Sequence, residues 1–229
     1  MMSELPSQAR VVIIGGGVVG VSCAYHLAKA GWTDCVLLEK NELTAGSTWH
    51  AAGNVPTFST SWSIMNMQRY STELYSNLGD EVDYPMNYNV TGSIRLGHSK
   101  ERIQEFQRAK GMGLYQGMNI EILDNNEIKK LYPFIETHEI QGALYDPADG
   151  DIDPAQLTQA LAKGARQLGV KIVRFCSAEG IKKENDMWKI ITEKGSISAE
   201  IIVNAAGYYA QRVSAVSYTH LRAHETKSY

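Results

Sequence analysis

The spacing of apolar residues changes several times along the chain, and each change predicts an element. Val11-Val12-Ile13-Ile14 is an unbroken β-branched run, the pattern of a strand buried on both faces. It runs into Gly15-Gly16-Gly17-Val18-Val19-Gly20. Val21, Ala24, Leu27 and Ala28 then recur at helical spacing, with Gly31 as the stop. A second apolar run, Val36-Leu37-Leu38, ends in Glu39-Lys40. Together these form a βαβ unit and predict parallel strands joined by a right-handed crossover. Residues 41–62 carry little regular pattern, and an irregular stretch of that length inside a domain is usually functional.

Further on, Ile64, Met67, Tyr70, Ser71, Leu74 and Leu78 predict an amphipathic helix over about 63–78, and residues 93–96 a short strand. Ser99 is the expected cap of a helix running to about Gly111. Asn125 or Asn126 is the expected cap of a shorter one closed by Pro133. Asp153-Pro154 marks a helix start, with Leu157, Leu161, Gly164, Ala165 and Leu168 as its buried stripe and Gly169 as its end. Strand-like runs at 170–174, 178–183, 188–192 and 201–204 suggest a small meander returning to the parallel sheet.

The fold class that follows is α/β: a doubly wound, Rossmann-like dinucleotide-binding domain with a mixed antiparallel segment inserted into it. The expected division is 9–80 for the first part of that domain, 81–147 for the inserted segment and 148–213 for the second part. Residues 214–229 look foreign to the fold. Their pattern leads into no further element, and 216–226 resemble translated sequencing-adapter read-through, so the domain reads as truncated.

Composition narrows the function class. With 44% hydrophobic and 21% charged residues the 229-residue chain is an ordinary globular mix, and at a net charge of −3 it lacks the basic footprint of a nucleic-acid binder. No apolar run approaches the roughly 20 residues of a membrane helix. Three scattered cysteines suggest neither a disulfide framework nor a zinc site. The first strand starts too early to leave room for a leader, so a cytoplasmic location is the expectation.

Three motifs carry candidate chemistry. In Gly15-x-Gly17-x-x-Gly20, between strand and helix, Gly15 permits the turn, Gly17 lets the backbone approach a pyrophosphate and Gly20 lets helix and strand pack closely. The helix start, Val18 and Val19, offers free N–H groups and a positive dipole end. Glu39 ends the next strand, where its carboxylate can accept from both hydroxyls of an adenosine ribose; Lys40 is beside it. Far along the chain, Asn204-Ala205-Ala206-Gly207 ends an apolar strand in small residues, so that backbone can pass close to the same cofactor. The pairing of these turns across a long mixed insertion points to a flavin enzyme rather than a plain nicotinamide dehydrogenase. Between them lies Thr44-Ala45-Gly46-Ser47-Thr48-Trp49-His50-Ala51-Ala52-Gly53, whose small residues let the chain lie against an extended ligand. From the residues alone, His50 reads as a hydrogen-bonded structural histidine. Asp149, Asp151 and Asp153 alternate like a calcium loop, but the glycine is misplaced and Ala160 stands where that loop needs Glu, so a turn with a helix cap is expected. His26, His98 and His138 show no metal-ligand spacing. Arg95 reads as a strand surface residue that could alternatively meet a substrate carboxylate.

The segment from Glu39-Lys40 through Gly53 resembles the dimethylglycine dehydrogenase and sarcosine dehydrogenase family, within the wider D-amino-acid-oxidase-like flavoproteins. The likeness is carried also by Gly92-Ser93-Ile94-Arg95-Leu96, Asp149-Gly150-Asp151-Ile152-Asp153-Pro154, Ala160-Leu161-Ala162-x-Gly164-Ala165-Arg166 and Asn204-Ala205-Ala206-Gly207, over about residues 10–213. It implies an FAD enzyme in which His50 carries the flavin covalently through its 8α-methyl group, a role chemically open to a neutral imidazole. It implies that Trp49 packs against the isoalloxazine ring, that backbone at Ala178 meets the adenine, and that Tyr209 lies near the flavin. Ordinary packing is the other reading of Trp49 and Tyr209.

The implied reaction is oxidation of a small N-methyl amine or amino acid by hydride transfer to flavin N5, with electrons passed to an electron-transfer flavoprotein or oxygen. The product iminium is hydrolysed to formaldehyde, or captured by tetrahydrofolate in relatives that carry a further C-terminal module. The family's substrate-contacting groups lie mostly beyond this sequence, so no catalytic acid or base is named. Two alternatives stand beside this reading. One is a flavin oxidoreductase for a hydroxy acid, glycerol phosphate or D-amino acid with His50 unattached; the other is a fragment that binds FAD without turnover.

Overall fold

The computed structural model describes residues 4–216. In chain order its elements are β1 (Gln8–Ile14), α1 (Val18–Lys29), β2 (Cys35–Leu38), a 3-10 turn (Ser47–His50), β3 (Asn54–Val55), α2 (Trp62–Val82), β4 (Tyr88–Asn89), β5 (Ser93–Gly97), α3 (Lys100–Tyr115), β6 (Glu121–Leu123) and α4 (Asn125–Leu131). There follow β7 (Gly142–Asp146), β8 (Gly150–Ile152), α5 (Pro154–Gln167), β9 (Lys171–Val173), β10 (Ala178–Glu184), β11 (Met187–Thr192), β12 (Gly195–Asn204), a second 3-10 turn (Gly207–Tyr209) and α6 (Ala210–Val216).

These elements form two compact units. The first gathers the described residues 4–52, Leu78–Met86 and 154–216. Its six-stranded sheet has the order β10-β11-β12-β1-β2-β9. β12, β1, β2 and β9 are parallel, while β10 and β11 are joined antiparallel to β12. The unbroken apolar runs of β1 and β2 are buried because both faces are covered. On one face Val12, Ile14, Val36, Leu38 and Val173 pack with Ile181, Ile190 and Ile197 of the meander. Their alternates, Val11, Ile13, Cys35 and Leu37, are equally buried. α1 and α5 pack on each other and on the parallel strands, so helices close one face and the meander the other. A side chain at Gly164 would lie 2.8 Å from the Tyr25 ring, which fixes how closely α1 and α5 approach.

Several expectations need adjustment here. Tyr25 rather than Leu27 completes the buried stripe of α1, and Leu168 lies exposed beyond the end of α5. The helix at the end of the described chain runs on through Val216 with Ser214 buried, so residues 214–216 continue an element instead of leaving the fold. The segment from 217 on, set aside from the sequence, lies outside the described residues.

The second unit comprises Gly53–Asn77 and Asn87–Asp153. It takes in residues before 81 and after 147, and 81–86 fall in the first unit instead. It holds two three-stranded antiparallel sheets, β3-β8-β4 and β5-β7-β6. Its cores form around Phe58, Met65, Phe106, Ile120 and Leu144, and around Leu123, Ile128, Ile140 and Ala143. Ser99 caps α3 as expected, accepting from Arg102 N–H at 3.2 Å. That helix continues past Gly111 to a stop at Gly117 (φ +73°), where Gly117 N–H donates to the Leu114 carbonyl and Met118 N–H to that of Gly113. The cap of α4 is Asp124, not Asn125 or Asn126. Its carboxylate accepts from the N–H of Asn126 and Glu127 while Glu127 accepts from Asp124 N–H. The Asn125 side chain instead donates to the carbonyls of Thr137 and Ile140.

Candidate functional site

In the first unit the four parallel strands end in register: Asn204 lies beside Ile14, Ile14 beside Leu38 and Leu38 beside Val173. Every turn leaving this edge is therefore held next to its neighbours. Ala205 N–H donates to the Ile14 carbonyl at 2.9 Å, Gly15 N–H to that of Leu38 at 2.9 Å, and Glu39 N–H to that of Val173 at 3.0 Å. The two glycine turns touch. A β-carbon on Gly15, whose φ is +118°, would stand 2.3 Å from the Ala205 carbonyl oxygen. One on Gly20 would stand 2.0 Å from the carbonyl oxygen of Gly15. Neither neighbour is a flexible side chain, so both positions require glycine.

The start of α1 opens on this edge. Its N-cap, Gly17, has no side chain to satisfy the first turn, and Thr48 supplies the acceptor: Val18 N–H donates to Thr48 Oγ1 at 3.0 Å. Val19 is 69% exposed, and its N–H has no acceptor among the described residues. An exposed helix start with a free N–H is a place for an anion. Beside it, the Glu39 carboxylate accepts from Gly16 N–H at 2.6 Å and Asn41 N–H at 2.8 Å, which fixes both oxygens and leaves each with acceptor capacity. Donors for a phosphate and acceptors for a sugar diol thus sit side by side, as an extended dinucleotide requires.

The stretch from Thr44 is bound to the same turn. Thr44 (φ +73°) donates its N–H to the Gly16 carbonyl at 3.1 Å. In the 3-10 turn that packs on α5, Thr48 is buried, while Ser47, Trp49 and His50 face outward, as do Ala45, Gly46 and Ala52 around them. His50 Nδ1 lies 3.1 Å from the Gly46 carbonyl. A carbonyl only accepts, so this nitrogen is the donor, and in a neutral imidazole the lone pair then lies on Nε2. Trp49 is 60% exposed with its ring 4.0 Å from that of His50, which excludes the core-packing reading of this residue. Gly53 stands apart. It belongs to the second unit, where a β-carbon would meet the Ile152 carbonyl oxygen at 2.2 Å, so the pairing of β3 with β8 accounts for that glycine.

Past β12, the Asn204 side chain braces the second turn. Its oxygen accepts from Ala206 N–H at 3.3 Å and its amide donates to the Ala210 carbonyl at 2.8 Å. Gly207 has a φ of +55° and open space where a β-carbon would be. Tyr209 is exposed, with Lys40 Nζ 3.4 Å from its ring centroid. Ala178 opens β10 opposite Thr192, and Cys176, two residues earlier, donates its N–H to the Glu39 carbonyl at 2.8 Å. The structure thus brings Gly15, Gly17, Val18, Gly20, Glu39, Thr44, Thr48, Ala205 and Ala206 into one connected cluster, with Lys40 and Tyr209 joined at its rim.

Sequence reasoning gave no role of their own to Gly16, where a β-carbon would meet the Leu43 side chain at 2.6 Å, or to Leu43, Asn41 and Asn204. Gly16 could have been found from the unbroken Gly15-Gly16-Gly17 run. Among the described residues no group of three or more His, Cys, Asp or Glu could hold a metal ion. Arg95 pairs with Asp149 at 3.5 Å. His26 and His98 bond backbone carbonyls through Nδ1, and His138 lies 3.9 Å from the Glu139 carboxylate. No helix among the described residues is long and apolar enough to cross a membrane.

Comparison with known proteins follows the same lines. The DAO family, described as FAD dependent oxidoreductase, matches residues 10–227. The chain is 43% identical over 211 residues to mitochondrial dimethylglycine dehydrogenase of Rattus norvegicus, covering 92% of this chain and 25% of that protein. It is 33% identical over 216 residues to mitochondrial sarcosine dehydrogenase of Mus musculus, covering 91% and 24%. It therefore spans about a quarter of these relatives. Among solved structures, L-proline dehydrogenase from P. horikoshii superposes with a TM-score of 0.85 at 28% identity, covering 93% of this chain and 56% of that one.

Proposed function

This chain belongs to the FAD-dependent oxidoreductase family, and we propose that it is the cofactor-binding part of an enzyme that oxidises a small N-methylated amine or amino acid of the dimethylglycine and sarcosine type. The observation that carries the reading is the contact of the Gly15 and Ala205 turns beside Glu39, at the edge where α1 begins. Here Val18 and Val19 would face the pyrophosphate and Glu39 the ribose. The backbone at 44–52 and 205–207 would lie along the rest of the molecule, with the corner at Ala178 beside the adenine. When bound, FAD supplies a two-electron acceptor for hydride from the N-methyl carbon.

His50 is the residue proposed to hold that group covalently. Its Nδ1–H is engaged by Gly46, so Nε2 is the nitrogen with a free electron pair for the bond. The exposed Trp49 ring beside it is proposed to pack on the flavin, with Tyr209 nearby. The substrate class is supported by the names of the relatives. An electron-transfer flavoprotein or oxygen is the proposed acceptor, and tetrahydrofolate would enter only through a further module. A cytoplasmic location is part of the proposal; Cys23, Cys35 and Cys176 are all free, and recovery in the mitochondrial fraction of a lysate would overturn it.

The test is acid precipitation of the purified protein. Flavin fluorescence that stays in the pellet and vanishes in His50→Ala is the expected result. Fluorescence that moves wholly to the supernatant would leave an FAD oxidoreductase with a free His50 and would remove the covalent link.

A further inference from the structure

In the second unit, among residues given no part in holding FAD, two aspartates are packed against one hydroxyl. Asp146 ends β7 and Asp149 lies in the turn before β8; both are 3% exposed. Between them is Thr57, itself buried, with its Oγ1 2.7 Å from Asp146 Oδ2 and 2.9 Å from Asp149 Oδ1. A hydroxyl has one hydrogen. It can donate to one of these carboxyl oxygens, and its contact with the other is a hydrogen bond only if that oxygen carries a proton of its own.

The surrounding donors decide which. Asp149 Oδ1 also accepts from Thr57 N–H at 2.6 Å, and its Oδ2 receives the Ser93 hydroxyl at 2.5 Å with the Arg95 guanidinium 3.5 Å away. That is a complete set of donors for an ionised carboxylate. Asp146 forms no ion pair among the described residues. Its Oδ1 accepts from Ala148 N–H at 3.1 Å, and its Oδ2 meets the Thr57 hydroxyl with the Asp149 carboxylate as a further neighbour. This is the arrangement of a neutral acid, with its carbonyl oxygen accepting and its hydroxyl donating.

We propose that Asp146 is a carboxylic acid in the folded protein at neutral pH, donating to Thr57, which in turn donates to an ionised Asp149. A proton thus forms part of the joint between β5, β7 and the segment after β3. Burial and the neighbouring Asp149 charge both push the Asp146 carboxyl above the ordinary range, burial being the larger cause. The titratable groups facing the pair are Arg95 from β5 and Tyr88 from β4, whose hydroxyl is raised by burial and by the Asp149 charge. Because the folded state holds the proton more tightly than the unfolded chain, its stabilisation is complete below the ordinary aspartate value of about 3.9 and is lost as pH rises through the folded-state value.

The test uses the chain itself. At neutral pH its infrared spectrum should contain a protonated-carboxyl C=O band that Asp146→Asn removes. The amide that Asp146→Asn introduces can still donate to Thr57, so that variant should fold. Its unfolding constant should also lack one pH-dependent component, worth up to about tenfold per pH unit in the native chain. A neutral-pH spectrum without that band, or one unchanged in Asp146→Asn, would overturn the proposal. If Asp146→Asn does not fold, selectively labelled aspartate carboxyl carbons in the native chain decide the matter. One of them must titrate well above the ordinary range, and none doing so would overturn it.

Discussion

Glu39 shows how a single side chain can belong to the fold and to the proposed ligand site at once. Its two oxygens each accept one backbone N–H, from Gly16 and Asn41. A glutamine has one oxygen and one NH2 group, so Glu39→Gln sets a donor against one of those N–H groups and removes the charge. Hydrogen bonds to a charged group contribute about 1.5–3 kcal/mol. With His50→Ala in the background, so that binding is reversible, the variant should therefore bind FAD about ten- to a hundredfold more weakly, measured as free FAD at half-saturation. Unchanged affinity would place the ribose elsewhere. Its place at the end of the second strand was legible in the sequence because the apolar run Val36-Leu37-Leu38 stops at it. Gly16 and Asn204 were not. One is required by the side chains of Leu43 and Glu39 and the other by a turn it braces, and contacts of that kind leave no periodic trace.

Among the elements, α1 depends on a partner 30 residues away in sequence. The Thr48 hydroxyl takes the place of a cap that Gly17 cannot provide. Thr48→Val keeps the shape and leaves Val18 N–H without an acceptor, at an expected cost of about 1–2 kcal/mol in thermal or denaturant unfolding. No change in the midpoint would mean that water serves the N–H as well. The helices and the buried parallel strands were readable because their apolar patterns are long enough to define a period. β6, β7 and β8 are only three to five residues long. Their strand character comes from pairing with partners far away in sequence, so the second unit was visible only as a mixed segment. The α3 stop was misplaced for a related reason, since an interior glycine and a terminal one look alike until the φ of Gly117 is known.

At the scale of the molecule, the first unit is a set of turns held together because four parallel strands stop in register. Residues 190 positions apart, Gly15 and Ala205, are in backbone contact for that reason. The pairing of two small-residue turns in the sequence anticipated this meeting, and an insertion was expected at 81–147, whereas the joining of 53–77 to 87–153 was not legible. The interleaving depends on contacts between distant segments, which hydrophobic spacing does not encode. The most direct test of the account is the flavin content of the purified chain and of Gly15→Val. The native chain should hold an equimolar amount of FAD by absorbance. The variant, with a branched side chain forced against the Ala205 carbonyl at a positive φ, should hold almost none while keeping its far-ultraviolet circular dichroism. A Gly15→Val chain that holds FAD as the native one does would contradict the claim that the cofactor lies where the two turns meet.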